Sequence, residues 1–144
     1  MIYVIILIIF FVICLYLVTL RKESKIEITK TELIMTYTPI TIATYFLQKE
    51  KDNRTITPMK IIKLVYIAQG WYLALKNGNS LISENAEAWK YGPVIPSLYD
   101  RFRTWGSSVI SEIPNIDTSS ILKEDLEVLD DVWNNYGDKS GIQL

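Results

Sequence analysis

Histidine is absent from the 144 residues, and cysteine occurs once, at Cys14. These absences exclude an intrachain disulfide and any metal site built from His or Cys. They also exclude Ser-His-Asp and Cys-His catalysis. Net charge is nearly absent too, at −1, so no global field marks a nucleic-acid binder. No Gly-rich phosphate loop precedes Lys60 or Lys63. Carboxylate pairs exist, Glu84 with Glu87 and Asp125 with Asp130-Asp131, but none sits in surroundings that mark a paired-carboxylate site. No enzyme, cofactor or metal is expected.

What is present is unevenly placed. Residues 1–20 carry no charge, and fifteen of them are Ile, Leu, Val or Phe. Twenty residues of helix match the roughly 30 Å hydrocarbon core. Summed on an insertion scale, the run favours the bilayer by of order 5–9 kcal/mol. Arg21, Lys22 and Lys25 follow it and no cation precedes it. The expectation is a single inner-membrane span with the remainder in the cytoplasm. A start at Met35 is the alternative, with residues 1–34 read through from AT-rich upstream DNA and the product cytoplasmic. A polar tether over 21–37 separates the run from a single domain over 38–144.

In that domain Thr38-Pro39 and Thr57-Pro58 each open a helix, Thr as cap and Pro at the first helical position. Ile42, Ala43, Phe46 and Leu47 give the first an apolar face. Ile61, Leu64, Val65, Ala68, Trp71, Tyr72 and Leu75 stripe the second, predicted over about 58–77, with Lys60, Lys63 and Lys76 mostly outside the stripe. Asn77-Gly78 supplies its stop. Gly70 lies inside this helix, where close packing of another backbone element would explain it. Ala86–Tyr91 alternates as a strand, ended by Gly92-Pro93. A helix from Pro96 carries Leu98, Tyr99, Phe102 and Trp105, broken by Gly106. Val109–Ile113 reads as a second short strand. A final helix after Thr118-Ser119-Ser120 shows Leu122, Leu126, Leu129, Trp133 and Tyr136 on one face and ends at Gly137. The fold class is mainly α with a small antiparallel β element (α+β), a single compact helical domain preceded by one hydrophobic helix.

Charge divides along the domain. From Lys49 to Arg103 there are nine Lys/Arg against five Asp/Glu, and from Glu112 to Asp138 eight Asp/Glu against one Lys. Internal pairing, a solvated helix face and an acidic surface offered to a partner all fit this division.

Four motifs occur in order: Thr-Pro-Met-Lys at 57–60, Ala-Gln-Gly-Trp at 68–71, Glu-Ala-Trp-Lys-Tyr-Gly-Pro-Val at 87–94, and Val-Trp-x-x-Tyr-Gly at 132–137. Together they resemble the Panacea domain, the antitoxin domain of SocA-like proteins and phage-associated relatives, over about Tyr37 to Leu144. The resemblance implies a mainly helical fold with a small sheet and no catalytic residues. It implies binding of a toxin in a bacterial or prophage toxin–antitoxin system, and for the SocA type delivery of that toxin to a Clp-type protease. The family pattern continues with Leu-Ser-x-Leu-Thr-His and a nearby Pro-Trp. Here the chain stops at Ser140-Gly-Ile-Gln-Leu144, which reads as carboxy-terminal truncation.

The candidate partner-binding residues are Trp89, Lys90, Tyr91, Arg101, Arg103 and Trp105, where aromatics beside cations have the composition of a binding hot spot. Gln69, Gly70, Trp71, Gly92 and Pro93 are the structural motif, with Gly92-Pro93 expected to turn the chain and set Trp89 and Tyr91 against the central helix. The other readings are a phage-associated binding module without a toxin, and a membrane-tethered regulator whose aromatics stack on nucleic acid. The slight acidity of the domain argues against the latter.

Overall fold

The structure is a computed structural model that describes residues 16–17, 36–50 and 55–144. The chain divides into two units, Met1–Ile34 and Met35–Leu144. The expected membrane span over 1–20 lies outside the described residues except for Tyr16 and Leu17. Among the described residues no helix is long and apolar enough to cross a membrane.

The helices of the second unit are α1 (Pro39–Lys49), α2 (Pro58–Leu75), α3 (Pro96–Phe102) and α4 (Lys123–Tyr136). Between α2 and α3 lies a hairpin of β1 (Glu87–Trp89) and β2 (Gly92–Val94), and one 3-10 turn, Arg103–Trp105, extends α3. Both Thr-Pro starts work as the sequence indicates. Thr38 Oγ1 accepts from the Thr41 N–H at 3.4 Å, and Thr57 Oγ1 from the Lys60 N–H at 3.3 Å. Each thereby satisfies one of the amides that the first turn leaves unpaired.

Helix α2 is the centre, touching α1, α3, α4 and β2. Ile42 and Phe46 of α1, Ile61, Leu64 and Val65 of α2, Leu98 and Phe102 of α3 and Leu129 of α4 meet in one buried core. Full burial of each such side chain stabilises the fold by about 1.5–3 kcal/mol. Because three helices surround α2, its stripe widens, and Ile62 is buried along with the residues read from periodicity.

Lys60 is buried too, 2 % exposed, against the expectation that it lies outside the stripe. Its Nζ donates to Gly137 O at 2.7 Å and Thr55 Oγ1 at 3.0 Å, and lies 5.9 Å from the Trp133 ring centroid. A buried ammonium is tolerable only when it is hydrogen-bonded and paired, and the Glu50 carboxylate 3.8 Å away completes the set. Asn77 (φ 54°) and Gly78 (φ 83°) take the left-handed conformation that stops α2.

Other expectations change too. The second strand is Gly92–Val94, not Val109–Ile113, and Gly92-Pro93 continues the hairpin where the sequence pattern alone would end it. The Lys90-Tyr91 turn leaves Trp89 opposite Gly92 and Ala88 opposite Pro93. Pairs alternate between bonded and non-bonded across an antiparallel ladder, and the pair closing a two-residue turn is bonded. Ala88 and Pro93 thus form a non-bonded pair, and the missing Pro93 N–H faces away from the partner strand. Ile110 instead gives its N–H to Ile56 O at 2.9 Å, a tie between two loops.

Gly70 is exposed, with nothing within 4 Å of where a Cβ would stand, so close backbone packing does not explain it. Helix α4 begins at Lys123 with no side-chain cap from the Thr118-Ser119-Ser120 run. The Leu122 N–H goes instead to the Tyr37 hydroxyl at 3.1 Å. Leu126, Leu129, Trp133 and Tyr136 of the expected face pack on the core, joined by the buried Asp125, Val128 and Val132, while Leu122 is exposed.

Candidate functional site

The Ala-Gln-Gly-Trp segment of α2 organises the domain rather than its surface. Gln69 Oε1 accepts from the Leu81 and Ile82 amides at 2.9 and 3.1 Å, and its Nε2 donates to Ser80 Oγ at 2.9 Å. This clamps the 80–82 segment, which in turn pairs with Tyr37 in a parallel bridge. Trp71 is half-buried and packs edge-on against Tyr136 of α4, centroids 6.1 Å apart. Leu81, pinned by this clamp, is fully buried and starts the chain that runs to the hairpin.

The hairpin is anchored through β2, while β1 and the turn face solvent. Gly92 has φ +119°, a conformation that L side chains rarely adopt, and the turn requires it. Glu84 Oε1 accepts from the Ser97 N–H at 3.0 Å and so caps α3, whose N-cap residue Ile95 has no side-chain oxygen to do it. Glu87 Oε2 accepts from the Trp89 indole N–H at 2.8 Å. Both carboxylates of the Glu84–Glu87 pair therefore have structural partners.

Hairpin and helix enclose a groove of about 450 Å³. Pro58, Met59, Ile62 and Lys63 of α2 form one wall. Trp89, Lys90, Tyr91, Pro93 and Val94 of the hairpin form the opposite wall, and Tyr99, Arg103 and Gly106 close the end. Trp89 meets Tyr99 edge-to-face, with centroids 4.8 Å apart. Tyr91 is 75 % exposed at the hairpin tip with Lys90 Nζ 5.1 Å from its ring centroid. Both aromatics line the groove opposite the central helix, where the turn was expected to set them against it, and both stay exposed. Trp89 is itself 42 % exposed, and it is Pro93 and Val94 of β2 that approach α2.

Of the six residues singled out from sequence, Trp89, Lys90, Tyr91 and Arg103 line this groove. Arg101 and Trp105 do not. They line a separate depression of about 190 Å³ with Phe102, Thr104 and Glu112. Met59, Ile62, Lys63 and Tyr99 join the groove without having been assigned to a site. An apolar residue outside the main helical stripe, Met59 in particular, was the available signal.

The acidic carboxy-terminal part is largely paired internally on one side. Asp130 binds Lys49 at 2.6 Å and accepts from the Tyr45 hydroxyl. Burial works against the charged form of Asp130, but the Lys49 and Tyr45 contacts outweigh it and its carboxyl titrates below the usual range. Asp125 is 1 % exposed, accepts from the Tyr37 hydroxyl at 2.6 Å and lies 3.7 Å from Lys76 Nζ. Burial, then the hydrogen bond to Asp125, pushes the Tyr37 hydroxyl up to about 12. Tyr72 is shifted upward as well, by burial and by the same carboxylate. This cluster lies inside the domain, away from the groove lining, and ties the start of α1 to α4. Glu127 and Asp131 remain on the solvated face of α4.

An exposed aromatic hairpin tip over an apolar groove, on a domain clamped by Gln69, matches the order of motifs in the sequence. The family model for the antitoxin SocA-like, Panacea domain matches residues 61–144. The chain belongs to this family. The matched span includes the Gln69 clamp, the whole hairpin, α3 and α4, and all of α2 after its first turn. No curated protein and no solved structure matches the chain.

Proposed function

We propose that this Panacea-family protein is an antitoxin that binds a cognate toxin protein through the groove between α2 and the hairpin. The observation that carries the reading is the exposed Trp89–Tyr91 tip above an apolar groove, in a chain of an antitoxin family. Exposed aromatics beside cations are the residue types that dominate protein–protein affinity. Trp89 is held by Tyr99 and Glu87, so less side-chain freedom is lost when a partner covers it. Neutralisation here needs only binding, with the toxin's working surface covered or its fold altered by the complex.

The test is growth rescue. The gene next to this one is expressed from an inducible promoter, with the chain supplied from Met1 or from Met35. Rescue by the wild type and loss of rescue by Trp89→Ala/Tyr91→Ala, at equal protein level, supports the reading. Failure of both starts to rescue growth or to co-purify with the neighbour's product removes it. A DNA affinity that falls steeply with salt would favour a nucleic-acid regulator instead.

A further inference from the structure

We propose that the groove takes an acidic peptide segment of the partner, with one aromatic or aliphatic side chain seated in the groove and carboxylates on either side of it. This rests on the groove being the partner surface and adds the chemistry of what fills it.

Charge is the first argument. The three charged residues that line the groove are Lys63, Lys90 and Arg103, all cationic. Two acidic side chains stand beside it: Glu87, which accepts from the Trp89 indole at 2.8 Å, and Asp100, whose pairing with Arg103 at 3.7 Å offsets part of that one cation's charge and leaves Lys63 and Lys90 as the main attraction. Lys63 gives one hydrogen bond to Gly141 O at 2.7 Å, and an ammonium has three donors. The first turn of α2, where Pro58 and Met59 reach the groove, carries no acidic residue.

Shape is the second argument. The groove's about 450 Å³ falls within the roughly 300–1,000 Å³ of ordinary ligand clefts, room for a large apolar side chain and its neighbours. Met59, Ile62, Pro93 and Val94 provide the apolar walls such an anchor needs. Cations around the rim then attract carboxylates flanking that anchor and set its orientation.

A nucleic acid fits the groove less well, because Tyr99 lies against the Trp89 ring and leaves less of it for a base to stack on.

The experiment selects binders from a random twelve-residue display library on the immobilised full chain. Enriched peptides are then titrated by fluorescence anisotropy at low and moderate salt. The expected consensus places Asp or Glu on both sides of Phe, Trp, Leu or Ile. Lys90→Glu/Arg103→Glu should weaken these peptides by roughly tenfold or more, and both side chains are exposed, so circular dichroism should show the fold retained. Lys90→Gln/Arg103→Gln should weaken them by an intermediate factor, and serves if the double reversal fails to fold. No enrichment, a neutral or basic consensus, or indifference to both double variants would overturn the proposal. So would an oligothymidylate that displaces the peptides and binds more tightly. Basic peptides lost on Trp89→Ala/Tyr91→Ala would overturn the acidic chemistry while leaving the groove as an interface. Acidic peptides that bind as expected, with Trp89→Ala/Tyr91→Ala still rescuing growth, would support the chemistry and remove the toxin-binding role.

Discussion

Replacing Tyr37 by Phe removes one oxygen and isolates two groups at once. The hydroxyl donates to Asp125 at 2.6 Å and accepts the Leu122 N–H at 3.1 Å. A hydrogen bond to a charged group contributes about 1.5–3 kcal/mol, and leaving a buried polar partner unsatisfied adds to the loss. Asp125 is 1 % exposed and its Oδ1 already has no hydrogen-bond partner, so the carboxylate keeps Lys76 at 3.7 Å and the neighbouring Tyr72 side chain. The expected cost is roughly 3 kcal/mol. In a unit spanning Met35–Leu144 this lowers the melting temperature by on the order of 10–20 °C.

Urea unfolding followed by tryptophan fluorescence measures the cost, with Tyr66→Phe as control because Tyr66 is 44 % exposed. The control should change stability by less than about 0.5 kcal/mol. In an Asp125→Ala background the Tyr37→Phe effect should shrink to about 1 kcal/mol, since the charged partner is gone. A Tyr37→Phe cost as small as the control's would refute the clamp as a stabilising element.

The same geometry sets three further outcomes. Tyr37 titrates at about 12 in the folded chain, against about 10 for an unperturbed tyrosine. A proton held more tightly in the folded state contributes stability that is complete below about pH 10 and lost as pH rises towards 12, a slope that Tyr37→Phe should make shallower in urea titrations at increasing pH. Gly70→Ala should stabilise α2 by about 0.8–1 kcal/mol, because the site is helical and open; a loss measured by thermal melting would show a constraint that the geometry lacks. Gly92→Val should cost roughly 1–3 kcal/mol through its backbone conformation at φ +119°, whereas an unchanged melt with lost partner binding would make the turn itself the recognition surface.

Much of this fold is legible in the sequence because local chemistry and tertiary contact agree. The two Thr-Pro starts, the Asn77-Gly78 stop and the α1 face each depend on a few adjacent residues. The errors come where distant residues decide. Lys60 looks like a surface cation until the Gly137 carbonyl, far along the chain, is placed beside it. The α4 face widens to take in Asp125, which meets the Tyr37 hydroxyl. Pro93 seems to end a strand, yet in a two-stranded hairpin it needs only a non-bonded position.

The candidate site was half legible for a related reason. Composition finds an aromatic and cationic cluster at Trp89–Tyr91. It cannot show that Met59 and Lys63, more than twenty residues earlier, form the opposite wall. Nor can it show that Arg101 and Arg103, two apart on a short helical segment, look into different depressions.

The most direct test of the groove as a toxin-binding surface is the affinity of the purified chain for the neighbouring gene's product, compared with Trp89→Ala/Tyr91→Ala. The expected result is tight binding by the wild type and a loss of at least roughly thirtyfold in the variant, since truncating a hot spot costs about 2 kcal/mol or more. Both proteins should melt within a few degrees of each other. Equal affinities for the neighbour's product would contradict it.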